Sequence, residues 1–222
     1  MSKRTILLVA TLSALIALGT LISLYPSHSL AALTVEEVAR QELPRMLDRI
    51  RSDYQGYGFR DEQELNIATL GRPYQVYGLS PNAVQAYRPD QPVSAILFEE
   101  QWWEFPVLID GEARGLLTLA QMNGQWKAVE FGSLPLSVRI TQLQQKLAHT
   151  DVRVKLVKVP HIYGTFALLE QGQNEQLVHL GSYPGVFKTI DREELTAYAA
   201  SKLMPEIREA IAQVKAAEKS KP

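Results

Sequence analysis

No cysteine occurs among the 222 residues. That absence removes cysteine nucleophiles, thiolate zinc sites, redox pairs and disulfides together, along with a lipid-modified N-terminal cysteine. Charge of one sign is also lacking, with 23 basic and 24 acidic residues. Lys3 and Arg4 are the only charged residues before position 32, so the chain beyond it is mildly acidic, with a formal net of −3. A nucleic-acid partner is therefore not expected, because phosphate binding needs clustered Lys and Arg. Histidine is scarce: His149, His161 and His179 are the only ones after residue 32. They lack the spacing of a zinc helix, although His161 and His179 could oppose each other on neighbouring strands. There is no G-x-S-x-G elbow, no G-K-S/T phosphate loop and no acidic calcium loop. The pair Gly56–Tyr57–Gly58 lacks the third glycine of a dinucleotide fingerprint. No catalytic residue, cofactor or metal ligand is assigned from the sequence.

What is present begins with a basic start and an apolar run from Ile6 to Leu24, followed by Pro26, Ser29, Leu30, Ala31 and Ala32. This is the layout of an export signal, with a cut expected after Ala31. The run also approaches the length that spans a bilayer. An uncleaved anchor through residues 5–25, with Lys3 and Arg4 on the cytoplasmic side, therefore remains the alternative. Both place the body outside the cytoplasm, secreted or periplasmic. Removal of residues 1–31 leaves 191, ample for a hydrophobic core without disulfides. We expect a single body over 32–218, with possible subdomains at 32–133 and 134–218, and a disordered tail at 219–222.

The body opens on a helix. Thr34 and Glu37 have the capping-box spacing, and Val35, Val38, Leu43, Leu47 and Ile50 follow at helical intervals. Pro44 inside this pattern is expected to kink or split the helix. Strands are expected over 65–70 and 73–79, with Gly71–Arg72–Pro73 as a turn or bulge. A proline-bearing loop is expected over 80–92 and extended chain in two pieces over 93–109. Asp110–Gly111 and Asn123–Gly124, each between apolar runs, predict two tight hairpins and a three-stranded meander. A second helix is expected over 137–148. A smaller meander then follows over 152–159, 162–170 and 176–180, turning at Gln171–Asn174. Asp191 with Glu194 reads as a cap for a last helix, with Leu195, Tyr198, Leu203, Ile207, Ile211 and Val214 as its apolar stripe, broken at Pro205. The order predicts an α+β protein, antiparallel meanders packed against N-terminal, middle and C-terminal helices. A helix laid across a meander resembles, in outline, cystatin-like and propeptide-inhibitor modules.

Two groups of side chains are candidate binding residues. Tyr57, Tyr74, Tyr77 and Tyr87, with Tyr54 and Phe59, crowd the region between the first helix and the first meander. Such aromatics form contact patches, or else a seam where helix meets sheet with Tyr74 or Tyr77 facing out. Glu99, Glu100 and Glu104 flank Trp102 and Trp103; alternation sends one tryptophan to the core and the other outward. Carboxylates beside tryptophan fit a glycoside-cleaving site if two share one cleft; otherwise they are solvated flanks. The functional expectation is an exported, non-enzymatic protein that binds a protein or peptide partner at a sheet edge or aromatic seam, of the inhibitor, chaperone or assembly-factor type. The alternatives are an extracytoplasmic hydrolase using the carboxylates, or a membrane-tethered envelope factor.

Overall fold

The computed structural model describes residues 33–182, 187 and 194–219. The expected leader, the Asp191 half of the last cap and residues 220–222 lie outside them. The chain from Thr34 onward clusters as one compact unit.

Helix α1 (Val35–Ile50) begins as its sequence dictates. The Thr34 hydroxyl accepts from the Glu37 N–H, and the Glu37 carboxylate accepts from the Thr34 N–H at 2.7 Å. Pro44 does not split it: the helix runs unbroken, with Leu43, Met46, Leu47 and Ile50 buried beside the exposed proline. A 3-10 segment, Arg51–Tyr57, follows and ends at Gly58 in the left-handed region.

The region expected as strand over 65–70 differs. Residues Glu64–Ile67 form a short helix, α2, and only Thr69–Leu70 (β1) is extended. Strand β2 (Tyr74–Gly78) continues the same line, and both pair antiparallel with β3 (Phe98–Ile109). Gly71–Arg72–Pro73 is thus an interruption along one edge of β3. Within 80–92 a helix, α3 (Pro81–Ala86), replaces the expected loop: Ser80 accepts from the Ala83 N–H and Pro81 fills the first helical position. Residues Val93–Ile96 form a 3-10 turn rather than extended chain.

Both hairpins form where their turn residues place them. Asp110–Gly111 joins β3 to β4 (Glu112–Met122), and Asn123–Gly124 joins β4 to β5 (Gln125–Gly132). All four turn residues have positive φ, as a type I′ turn requires. Helix α4 (Leu134–Lys146) leads to the second meander, β6 (Arg153–Val159), β7 (Gly164–Gln171) and β8 (Asn174–Gly181). The stretch of the expected last helix that holds Tyr198 is instead β9 (Ala197–Ala199), and α5 starts at Ala200 and runs through Pro205 to Lys219.

The two meanders join in one nine-stranded sheet, in the order β5-β4-β3-β2-β6-β7-β8-β9 with β1 beside β3. The joint is the parallel pair β2–β6, Val76 against Leu156 and Tyr77 against Val157. Every other pairing is antiparallel, so the class is α+β. Helices cover both faces, which goes beyond the outline of one helix on one meander. On the first face α1 packs on β3–β5 around Phe105, Leu117 and Phe131. On that same face α5 and α3 pack on β6–β8 around Val157, Phe166 and Leu168. On the second face α4 covers a core shared by both halves, with Leu116 from β4, Val76 from β2, Leu156 from β6 and Val178 from β8.

Candidate functional site

The sheet's pleat decides which candidate side chains meet. Tyr74 and Glu104 oppose each other across β2 and β3 on the second face, while Gln75, Trp103 and Tyr77 point to the first. The aromatic group therefore does not form one patch. Tyr57 meets Phe131 in a tilted contact with ring centres 6.1 Å apart, Phe59 stacks on the same Phe131 ring, and Tyr54 joins them under α1. These three are the seam between helix and sheet. Tyr74 is buried under α4, and Tyr87 is buried in the core of α5. Tyr77 is half-buried on the first face, so neither Tyr74 nor Tyr77 is fully exposed. Burial raises the phenol pKa of all three of Tyr74, Tyr77 and Tyr87.

The tryptophans divide as alternation requires. Trp103 packs half-buried beside the α1 core, and Trp102 is exposed on the second face. Glu104 is buried, and one of its oxygens accepts from Lys158, whose ammonium lies 5.4 Å from the Trp102 ring centre. Its other oxygen has no hydrogen-bond partner among the described residues. Burial raises its pKa, opposed by Lys158. Glu99 is exposed on the opposite face, paired with Tyr77, and Glu100 is half-buried. Trp102, Glu104 and Lys158 are thus one cluster, which Glu99 does not join.

A second polar cluster lies on the first face at the start of β6. Lys155 sits 5.2 Å from the Tyr77 ring centre and donates to Glu170 at 2.8 Å. Arg153 approaches the other oxygen of Glu170 at 3.9 Å. Glu170 is 8% exposed, although it ends a strand that is otherwise uncharged from Gly164 to Leu169. A lone carboxylate closing such an apolar run is the signal that could have drawn attention to it. His161 and His179 do not face each other: His161 is exposed in a 3-10 turn, and His179 lies buried between Phe166 and Phe187. Among the described residues no group of three or more His, Asp or Glu side chains could hold a metal ion.

Two cavities open at one end of the sheet, on opposite faces. The first, about 600 Å³, lies on the first face beneath residues 87–94, over Arg153, Glu170 and Glu175. The second, about 620 Å³, lies on the second face between α4 and β9; Leu143, Leu147, Val152, Leu169, Val178 and Leu195 line it. Glu175 and Ala199 border both. Of the candidate residues read from the sequence, only Tyr87 borders either one. Among the described strands, β5 and β9 are the outer two of the sheet. Among the described residues no helix is long and apolar enough to cross a membrane. No protein-family model, curated protein or solved structure matches the chain.

Proposed function

We propose that this chain is an exported, non-enzymatic protein that binds an extended segment of another protein along β9. The address rests on the basic, apolar and small-residue order of residues 1–32. The binding reading rests on one observation: an apolar groove runs beside an outer strand. Ala197 and Ala199 line the groove and are exposed, and their small side chains leave it open. A strand added outside β9 would hydrogen-bond to its backbone and send every second side chain to the groove side. The partner segment then carries apolar residues at alternate positions. The other outer strand is less suited. A register shift interrupts β5 opposite Thr118 and Leu119, and Lys127 and Glu130 are exposed along it. Irregularity and charge on an edge discourage strand addition.

Site-specific photo-crosslinking of the full chain in its native envelope tests this. A probe at Ala197 is expected to capture one partner, a probe at Lys127 none. Leu147→Glu, which puts a charge in the groove at a half-buried position on the margin of the core, is expected to abolish the Ala197 adduct while circular dichroism stays that of the wild type. Equal capture from Lys127, or an adduct indifferent to Leu147→Glu, sinks the proposal.

A further inference from the structure

The cavity on the first face is held together from three sides. Glu175 on β8 accepts from the backbone N–H groups of Val93 and Ser94, the latter at 3.2 Å, and so ties down the segment that roofs it. Arg208 on α5 donates to the carbonyls of Val84 and Tyr87, at 2.9 Å and 3.0 Å, and fixes the start of that segment. Glu170 lines the floor, is more than nine-tenths buried and is held by Lys155 through one oxygen. Its second oxygen has no hydrogen-bond partner among the described residues. Arg153 approaches that oxygen at 3.9 Å, beyond hydrogen-bond distance, with a side chain 82% exposed.

We propose that this cavity binds a small organic cation with N–H donors, an ammonium or guanidinium compound, anchored on Glu170. A buried carboxylate oxygen left without a donor is costly, and a charged N–H donor supplies the missing bond. The loose, exposed Arg153 is a displaceable cover, since exposed ion pairs contribute little. Among the charged residues that line the cavity, Asp90, Glu170 and Glu175 outnumber Arg153, with Lys155 pairing Glu170 from outside the lining. The buried Tyr87 ring and Pro89 and Pro92 supply apolar walls for a short methylene chain. The volume falls within the range of small-molecule sites. The two cavities share Glu175 and Ala199 at their borders, but the anchor Glu170 lines this one alone, so the site is tested separately from the peptide reading.

Titration of the isotope-labelled full chain, read from backbone amide shifts, tests the assignment with agmatine and putrescine as probes. Both are expected to saturate with shifts centred on Ser94, Gly172 and Gln173. Tetramethylammonium, which has no N–H, is expected to leave them unmoved. Glu170→Gln is expected to weaken agmatine binding about tenfold or more. Arg153→Ala is expected to tighten it by removing the cover, whereas Arg45→Ala on α1, an equal change in net charge, leaves it unchanged. Tetramethylammonium binding as tightly as agmatine overturns the proposal. So does an Arg45→Ala effect equal to that of Arg153→Ala, or the absence of shifts at these amides with either probe.

Discussion

Glu64 and Glu104 are both buried carboxylates in ion pairs, yet their protons are held in opposite senses. Glu64 accepts from the Arg114 guanidinium at 3.0 Å and 2.8 Å and from the Arg60 N–H at 2.8 Å, and these bonds to the charged form lower its pKa. Among the described residues Glu104 accepts from Lys158 alone, and loss of hydration dominates and raises its pKa. A carboxyl whose folded pKa exceeds its unfolded value binds a proton more readily in the folded state. Stability from that group therefore falls as pH rises from the ordinary value of 4.5 through the raised one. Glu104→Gln removes this loss. Urea unfolding across that window is expected to show the variant gaining on the wild type as pH rises, with the Glu64 contribution cancelling between them. Parallel curves would mean that Lys158 compensates the buried charge fully.

At the scale of elements, two glycines with positive φ separate strain from crowding. Gly124 in the second hairpin has φ +76°, and a Cβ there would meet nothing within 4 Å. Gly58, which ends the 3-10 segment, has φ +96°, and its Cβ would lie 2.7 Å from the Arg114 carbonyl oxygen on β4. Gly124→Ala is expected to cost about 1 kcal/mol from left-handed backbone alone. Gly58→Ala is expected to cost about 3 kcal/mol, because the β4 backbone must also move. Equal urea midpoints for the two variants would show that the segment around Gly58 yields freely. The same two sites mark what the sequence discloses. Asn123–Gly124 and the Thr34–Glu37 cap are local instructions, and both are obeyed. The Ser80–Pro81 helix start was just as local and was overshadowed by the three prolines of 80–92. The 3-10 turn at Val93–Ile96 was not legible at all, since the Glu175 that ties down its first N–H groups lies far along the chain. The candidate residues fared likewise. Neighbours in sequence such as Glu99 and Glu104 separate to opposite faces, while Glu104 finds Lys158, and Arg153 finds Glu170, only through strand pairing.

Across the whole molecule, the parallel pair β2–β6 and the helix α4 are what make two meanders one body. The first half has its own core under α1 and the second its own under α5, but the core on the second face draws on both. Leu156 on β6 is fully buried in that shared core, close to Val76, Leu116 and Ile140. All three tryptophans, Trp102, Trp103 and Trp126, lie on β3 and β5, so indole fluorescence reports the first half alone. Far-UV circular dichroism reports helices and strands of both. Leu156→Ala is expected to cost about 3 kcal/mol through the cavity it leaves. If the shared core couples the halves, the fluorescence midpoint falls together with the dichroism midpoint, although no tryptophan lies on the strand that was changed. A fluorescence transition that stays in place while the dichroism transition moves would show instead that the halves unfold as separate units, with β2–β6 a contact between them rather than the keystone of one sheet.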